Sequence, residues 1–185
     1  EKASLVIVGS NVTAGLQKRL LGQGTYSIID KSLSPVLCLR EDFDYHSDFK
    51  DILLPIDSSD ESRQKVPMAI RFAKAYGSTI HVLGVNKTSV EEGRAIVKNY
   101  ATQTKNYIEK LGIPCTLEIK DVVDSVSATI LAYAHSVCAD MLIMMAECGM
   151  SMIRFVTTSD DQKTLAASKI PIITVRPEQL NTISI

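Results

Sequence analysis

The sequence predicts an α/β protein built on a doubly wound, five-stranded parallel sheet. Three observations predict it. From residue 51 onward, short apolar runs alternate with longer stretches of helical periodicity. The run Met141-Leu-Ile-Met-Met145 is apolar throughout, as in a strand covered on both faces. Glycines fall where helices should stop, at Gly77 and Gly112. Strands and helices alternating in this way imply right-handed crossovers, with helices on both faces of the sheet.

Residues 51–57, Asp-Ile-Leu-Leu-Pro-Ile-Asp, are too short for a helix and are bounded by polar residues, so they read as the first strand. The spacing from Ser58 to Glu61 is that of a capping box and predicts a helix start. That helix carries Val66, Ala69, Ile70 and Ala73 on one face. A second strand follows at 79–85. Ser89-Val-Glu-Glu92 opens a long helix whose buried side is predicted to hold Ile96, Tyr100, Tyr107, Ile108 and Leu111. Residues 115–122 form the third strand, and 125–137 a helix with Val126, Ile130, Leu131 and Ala134 inward. The fourth strand is 141–145. A helix at 159–168 leads into the last strand, 172–175.

The first 41 residues repeat the end of this pattern rather than its beginning. Setting Pro35 on Pro171 aligns 3–41 with 139–177 without a gap, a period of 136 residues. Ala3-Ser-Leu-Val-Ile-Val8 then falls on Ala139-Asp-Met-Leu-Ile-Met144, Ser32 on Ser168 and Arg40 on Arg176. Such a period is one whole α/β domain, not a solenoid unit. The expected organisation is therefore a closing strand-helix-strand of a first repeat (1–41), a polar linker (42–50), a complete second repeat (51–177) and a tail (178–185). Because the chain opens on Glu1 and enters a strand almost at once, it reads as part of a longer protein.

Composition narrows the function classes. A net charge of −1 and a pI near 6.4 leave no electrostatic footprint for nucleic acid or an anionic membrane. No apolar run approaches a membrane span, and no signal segment opens the chain. Cys38, Cys115, Cys138 and Cys148 have no CxxC spacing, which reads as reduced thiols in the cytoplasm. His46, His81 and His135 lie far apart, and no G-x-S-x-G, HExxH or paired-carboxylate pattern occurs. The residues therefore indicate neither a metal site nor an enzyme. Met141, Met144, Met145, Met150 and Met152 lie beside Cys148, a set that fits a buried strand and an adaptable apolar loop better than a Cu(I) site. Met150, Met152, Ile153 and Phe155 would also offer an apolar surface to a protein partner or apolar ligand.

Two stretches carry a family likeness. Val8-Gly9-Ser10-Asn11, then Gly15-Leu16-Gln17-Lys18-Arg19-Leu20-Leu21-Gly22 and Ser34-Pro35-Val36-Leu37-Cys38-Leu39-Arg40, resemble the close of a universal stress protein domain. Ile52-Leu-Leu-Pro-Ile-Asp57-Ser58-Ser59-Asp60-Glu61-Ser62 resembles its opening strand and turn. With Lys120-Asp121-Val122 and the strand from Met141, the resemblance spans nearly all of 3–177. It implies a tandem-type member and a Rossmann-like sheet of the adenine nucleotide alpha hydrolase kind, with strand order 3-2-1-4-5. It also implies an adenine-nucleotide-related regulatory role in the stress response, with no common reaction.

Where such proteins hold ATP or AMP, the resemblance puts it in the crevice between the first and fourth strands. The motif there is Gly, two residues, Gly, nine residues, then Gly with Ser or Thr. Glycines let backbone N–H groups approach phosphates, and a helix N-terminus adds positive charge. In repeat one the motif maps onto Gly9, Val12 and Gly22-Gln23, two of three glycines kept. The plain alternative is that Gly9 and Gly22 serve turns. In repeat two it maps onto Met145, Cys148 and Thr158-Ser159, with no glycine kept. Ser159 and Gln162 there have capping-box spacing, and Asp160 and Asp161 occupy the positive end of the predicted helix. Each would repel a phosphate by roughly 1–4 kcal/mol at about 4 Å. Repeat two is thus expected not to bind ATP by the usual glycine motif. Asp57 stands where the family contacts adenosine, with Val85 lining the same pocket; a turn or capping role for Asp57 is the alternative.

The resemblance also implies self-pairing through last strands, here 35–39 against 171–175, and a homodimer that covers the apolar residues Leu5, Ile7, Ile28 and Ile29. Three functions compete: a regulatory stress protein whose complete repeat is a pairing and interaction module, an ATP- or AMP-binding regulator with its site in an intact repeat one, and a small-molecule enzyme supported by fold analogy alone.

Overall fold

The computed structural model describes residues 3–10, 27–29, 31–40, 43, 48–146 and 170–177. Strands β1 (Val6–Ser10) and β2 (Val36–Arg40) come first. They are followed by β3 (Asp51–Ile56), a 3-10 turn (Asp60–Arg63), α1 (Val66–Tyr76), β4 (Thr79–Asn86) and α2 (Glu91–Lys110). Then come β5 (Cys115–Asp121), α3 (Val126–Ser136), β6 (Met141–Met145) and β7 (Ile172–Val175).

The strands form one sheet in the order β1-β2-β7-β6-β3-β4-β5. The five strands expected within 51–177 are mutually parallel and keep the order 3-2-1-4-5 among themselves. The expectation of a five-stranded, wholly parallel sheet needs correction, however. Among the described residues the sheet has seven strands, because β2 adds antiparallel to β7 and β1 adds parallel to β2. An uncovered β7 would present a row of unpaired backbone groups, and β2 satisfies them.

The register across this junction is self-similar. Val6 pairs with Val36 as Leu142 pairs with Ile172, and the N–H groups of Val6 and Leu142 each donate to a proline carbonyl, Pro35 or Pro171, at 2.9 Å. Across the antiparallel seam Val36 faces Thr174, Cys38 faces Ile172, and Leu37 faces Ile173 between them. Under the 136-residue period, the outer two pairs exchange places and the central pair maps onto itself.

Alternate residues of β3 serve opposite faces, as the period of two requires. Ile52, Leu54 and Ile56 pack with Val66, Ala69 and Ala73 of α1 and Ala101 and Ile108 of α2. Leu53 packs with Ile130 and Ala134 of α3. All four β3 residues are fully buried, at roughly 1.5–3 kcal/mol of transfer free energy each.

Two helices depart from expectation. The capping-box spacing at Ser58–Glu61 does not open a continuous helix: it makes the 3-10 turn, and α1 starts only at Val66, with Pro67 in its first turn. Proline cannot donate to the carbonyl four residues back and clashes with it, so a helix running through 59–76 would break there. In α2 the inward residues are Val97, Ala101, Thr104 and Ile108, whereas Ile96, Tyr107 and Leu111 are exposed. The helix presents its small residues to Gly84 of β4. A Cβ at Gly84 would meet Val97 and Ile119 at 3.2 Å and Ala101 at 3.4 Å, so the two backbones approach closely. The helix expected at 159–168 lies outside the described residues. Gly77 ends α1 in the left-handed region, φ 65°, as its position predicts.

Side chains close the amino ends of the strands. The Asp140 carboxylate accepts from the N–H groups of Lys50 (2.7 Å) and Asp51 (3.2 Å). His81, at 8% exposure, lies 2.8 Å from Asp51 Oδ1 through Nε2 and 2.8 Å from Thr116 Oγ1 through Nδ1.

Candidate functional site

At the opposite, carboxyl end of the sheet a cleft of about 410 Å³ opens over β3, β4 and β6. Sheet order reverses between β3 and β6, which is where open α/β sheets leave a crevice, and the volume lies within the range of about 300–1,000 Å³ usual for small ligands. Its apolar wall is Ile56, Val85, Val126, Ile130 and Met144; its polar wall is Asp57, Ser59, Glu61, Ser62, Lys65 and Lys87.

Each polar group is placed by a local device. Asp57 is the first residue past β3. Its Oδ1 accepts from the Ser59 N–H (2.9 Å) and hydroxyl (2.6 Å), an Asx-type turn that bends the chain into the 3-10 turn. Lys87 is the first residue past β4, and its Nζ donates to Asp57 Oδ2 at 2.5 Å. Burial pushes the Asp57 carboxyl up, but the hydrogen bonds from Lys87 and Ser59 together outweigh burial and hold it below the usual carboxylate range. The Ser62 hydroxyl donates to the carbonyls of Ser59 (2.8 Å) and Asp57 (3.2 Å), stitching the turn beneath the cleft. On the far wall, Ser125 Oγ accepts from the Ala128 N–H at 3.1 Å and fixes the start of α3, which carries Val126 and Ile130.

Lys65 is the unusual member. It occupies the N-cap of α1, is only 3% exposed, and donates from Nζ to the Ser62 carbonyl at 2.6 Å. Burial drives its ammonium down to about 7; the Asp57 charge opposes that and the Lys87 charge reinforces it. A buried amine poised between charged and neutral thus faces the cleft.

Of the residues singled out from sequence, Asp57 and Val85 come together on this cleft, and Met145 lines it too. Gly9 does not join them. It lies in β1, four strands from β3, or roughly 19 Å at the usual strand spacing. Gly22 and Gln23 lie outside the described residues, as do Cys148 and the segment 158–161. Sequence reading missed Lys65 and Lys87. Among the described residues no group of three His, Cys, Asp or Glu side chains is placed to hold a metal ion, and no helix is long and apolar enough to cross a membrane. Cys38 and Cys115 have thiols pushed by burial up to about 12, which leaves both in the unreactive protonated form near neutrality.

Comparison with solved structures gives the same fold repeatedly. A universal stress protein from Archaeoglobus fulgidus superposes with a TM-score of 0.74 at 19% identity, covering 95% of this chain and 62% of that one. A second, described as a putative universal stress protein from Pseudomonas aeruginosa, gives 0.64 at 15% identity, covering 94% and 63%. A universal stress protein crystallised in complex with cAMP gives 0.51 at 21% identity, covering 70% of this chain and 98% of its own. This chain thus spans about three fifths of the length of the first two. At these identities the likeness speaks for the fold alone. No protein with a curated functional description matches the sequence. The universal stress protein family model matches residues 48–176, more than half of the chain, and the chain belongs to that family.

Proposed function

We propose that this is a regulatory stress-response protein of tandem type, non-catalytic and cytoplasmic, whose complete repeat holds no nucleoside triphosphate by the family's glycine motif. The observation that carries this reading is the state of Asp57. Both of its carboxylate oxygens are already engaged within the protein, Oδ1 by Ser59 and Oδ2 by Lys87. A ribose approaching this carboxylate competes with an ion pair and two hydrogen bonds, and the motif positions from Met145 onward offer no glycine. The self-similar register of β1–β2 against β6–β7 supports the tandem reading and a role for last-strand pairing in assembly, with a second copy of the chain covering the exposed Ile7 and Ile28.

Calorimetric titration with ATP and magnesium tests the reading: no saturable binding is expected at micromolar concentrations, and micromolar affinity for the complete repeat overturns it. A second reading, ATP or AMP held by an intact first repeat, draws support from Gly9. That residue lies in a strand rather than a turn. Among the described residues nothing lies within 4 Å of where its Cβ would stand, so packing does not demand a glycine there. Nucleotide binding by the complete tandem protein, lost on Gly9→Val, would favour this second reading.

A further inference from the structure

We propose that the cleft binds an organic monoanion, an apolar body bearing one carboxylate or phosphodiester, whose charged group completes the coordination of Lys65. The inference rests on the preceding reading, that no triphosphate occupies this cleft. An ammonium group has three N–H donors. Among the described residues Lys65 Nζ has one acceptor, the Ser62 carbonyl, and the residue is only 3% exposed. The buried group that is short of acceptors lies on the wall of a cleft, so a ligand oxygen can reach it.

The charges around it fix the ligand's valence. From the residues past β4 comes Lys87, already matched by Asp57 from the residues past β3. From the 3-10 turn comes Glu61, exposed at the rim, together with the neutral Ser62. Helix α3 and strand β6 contribute Val126, Ile130 and Met144, all apolar. Glu61 balances the lining charges but is exposed to solvent, so Lys65 is the buried cation of the cleft with no carboxylate in contact among the described residues, and a single negative charge on an apolar body complements it and the apolar wall. The N-terminus of α1, at which Lys65 stands, disfavours its ammonium and favours an incoming anion.

An anion beside Nζ stabilises the ammonium and raises its affinity for a proton. The unoccupied amine is largely neutral above pH 7, so binding there takes up a proton and weakens as pH rises. Below pH 7 the amine is already charged and affinity is flat.

The test is calorimetric titration of the full chain with octanoate, with dibutyl phosphate and with the neutral octanamide, at pH 6, 7 and 8. At pH 8 it is run in two buffers of different protonation heat. Octanoate or dibutyl phosphate is expected to bind at least ten times more tightly than octanamide. Its dissociation constant should rise about fivefold from pH 7 to pH 8, with uptake approaching one proton. Whichever anion binds more tightly identifies the charged group, carboxylate or phosphodiester. Lys65→Met should abolish both the proton uptake and the pH dependence. Equal affinity for octanoate and octanamide, no binding of either anion, or binding by wild type without proton uptake each overturns the inference, the last independently of how the variant folds. Tight ATP binding that survives Lys65→Met would instead overturn the preceding reading.

Discussion

The two ends of the sheet handle buried charge in opposite ways. At the amino end Asp140 and His81 are committed to the fold: Asp140 caps the backbone entering β3, and His81 bridges Asp51 to Thr116 across three adjacent strands. At the carboxyl end the Asp57–Lys87 pair is similarly closed, but Lys65 is buried with one carbonyl acceptor beside a cleft. Closed networks of the first kind stabilise; a buried amine of the second kind destabilises unless something binds it. Folds keep such groups mostly where function needs them, which is the reason for reading the carboxyl end as the working end.

The largest expected effect breaks this contrast at Lys65. Its folded-state proton affinity lies near 7, against 10.5 ordinarily. Below pH 7 both folded and unfolded chains carry the charge, and the fold bears the full cost of burying it. Between pH 7 and 10.5 the unfolded chain binds the extra proton, so stability rises with pH. Lys65→Met, similar in length and apolar, should stabilise the protein at pH 6 by an amount on the order of a few kcal/mol, and its advantage should shrink toward pH 10. Urea denaturation of both proteins across that range measures the difference, in which the other titrating groups cancel. A variant less stable at every pH would mean that Lys65 is a structural tie like those at the amino end.

His81→Leu should do the opposite at the other end. It leaves Asp51 Oδ1 and the Thr116 hydroxyl without their imidazole partner, at a cost of about 1–3 kcal/mol, nearer the lower figure because Asp51 keeps access to water. The rise of stability between pH 7 and pH 10 should persist in this variant, since Lys65 is untouched. Loss of that rise would mean that the two ends are not independent.

The same contrast explains what the sequence could disclose. Strands β3 to β7 were legible because each is an apolar run of strand length, and their parallel arrangement follows from alternation with helices, whereas their order came from the family resemblance. Asp57 and Val85 were legible as a site through the family resemblance, which places both beside the crevice. The buried face of α2 was not legible: Ile96, Tyr107 and Leu111 recur at helical spacing as plausibly as Val97, Ala101 and Ile108 do. The choice was made by Gly84 on another strand, which admits small residues closest. Lys65 was hidden for a related reason. A lysine ending a polar stretch reads as solvated, and only the break imposed by Pro67 sets α1 to begin at Val66, turning position 65 inward against the 3-10 turn. The seven-stranded extent of the sheet was half visible. The 136-residue period announced β1 and β2, and the resemblance set 35–39 against 171–175; that the two strands thereby extend this same sheet to seven depends on β7 offering an open edge.

The smallest effect sharpens the comparison within the cleft itself. Lys87→Met removes the ion pair from Asp57 while leaving the two Ser59 hydrogen bonds. Both partners are partly exposed, so the cost at pH 7 should stay at or below about 1 kcal/mol. The direction in acid is more informative than the size. In the wild type Asp57 is held below the usual carboxylate range, so its contribution is complete above the unfolded value near 4 and fades as pH falls through the lower folded value. Without Lys87, burial acts against Ser59 alone, and the loss should set in at higher pH. Removing that cation also relieves Lys65, one of whose downward influences is the Lys87 charge, so the alkaline rise in stability should become shallower in the same variant. A single substitution would then move both limbs of the pH–stability curve, which requires the three side chains to act as one electrostatic unit around the cleft. If urea denaturation at pH 4, 7 and 9 shows a change on the acid limb only, Asp57 and Lys87 form an isolated pair and Lys65 is governed by burial alone.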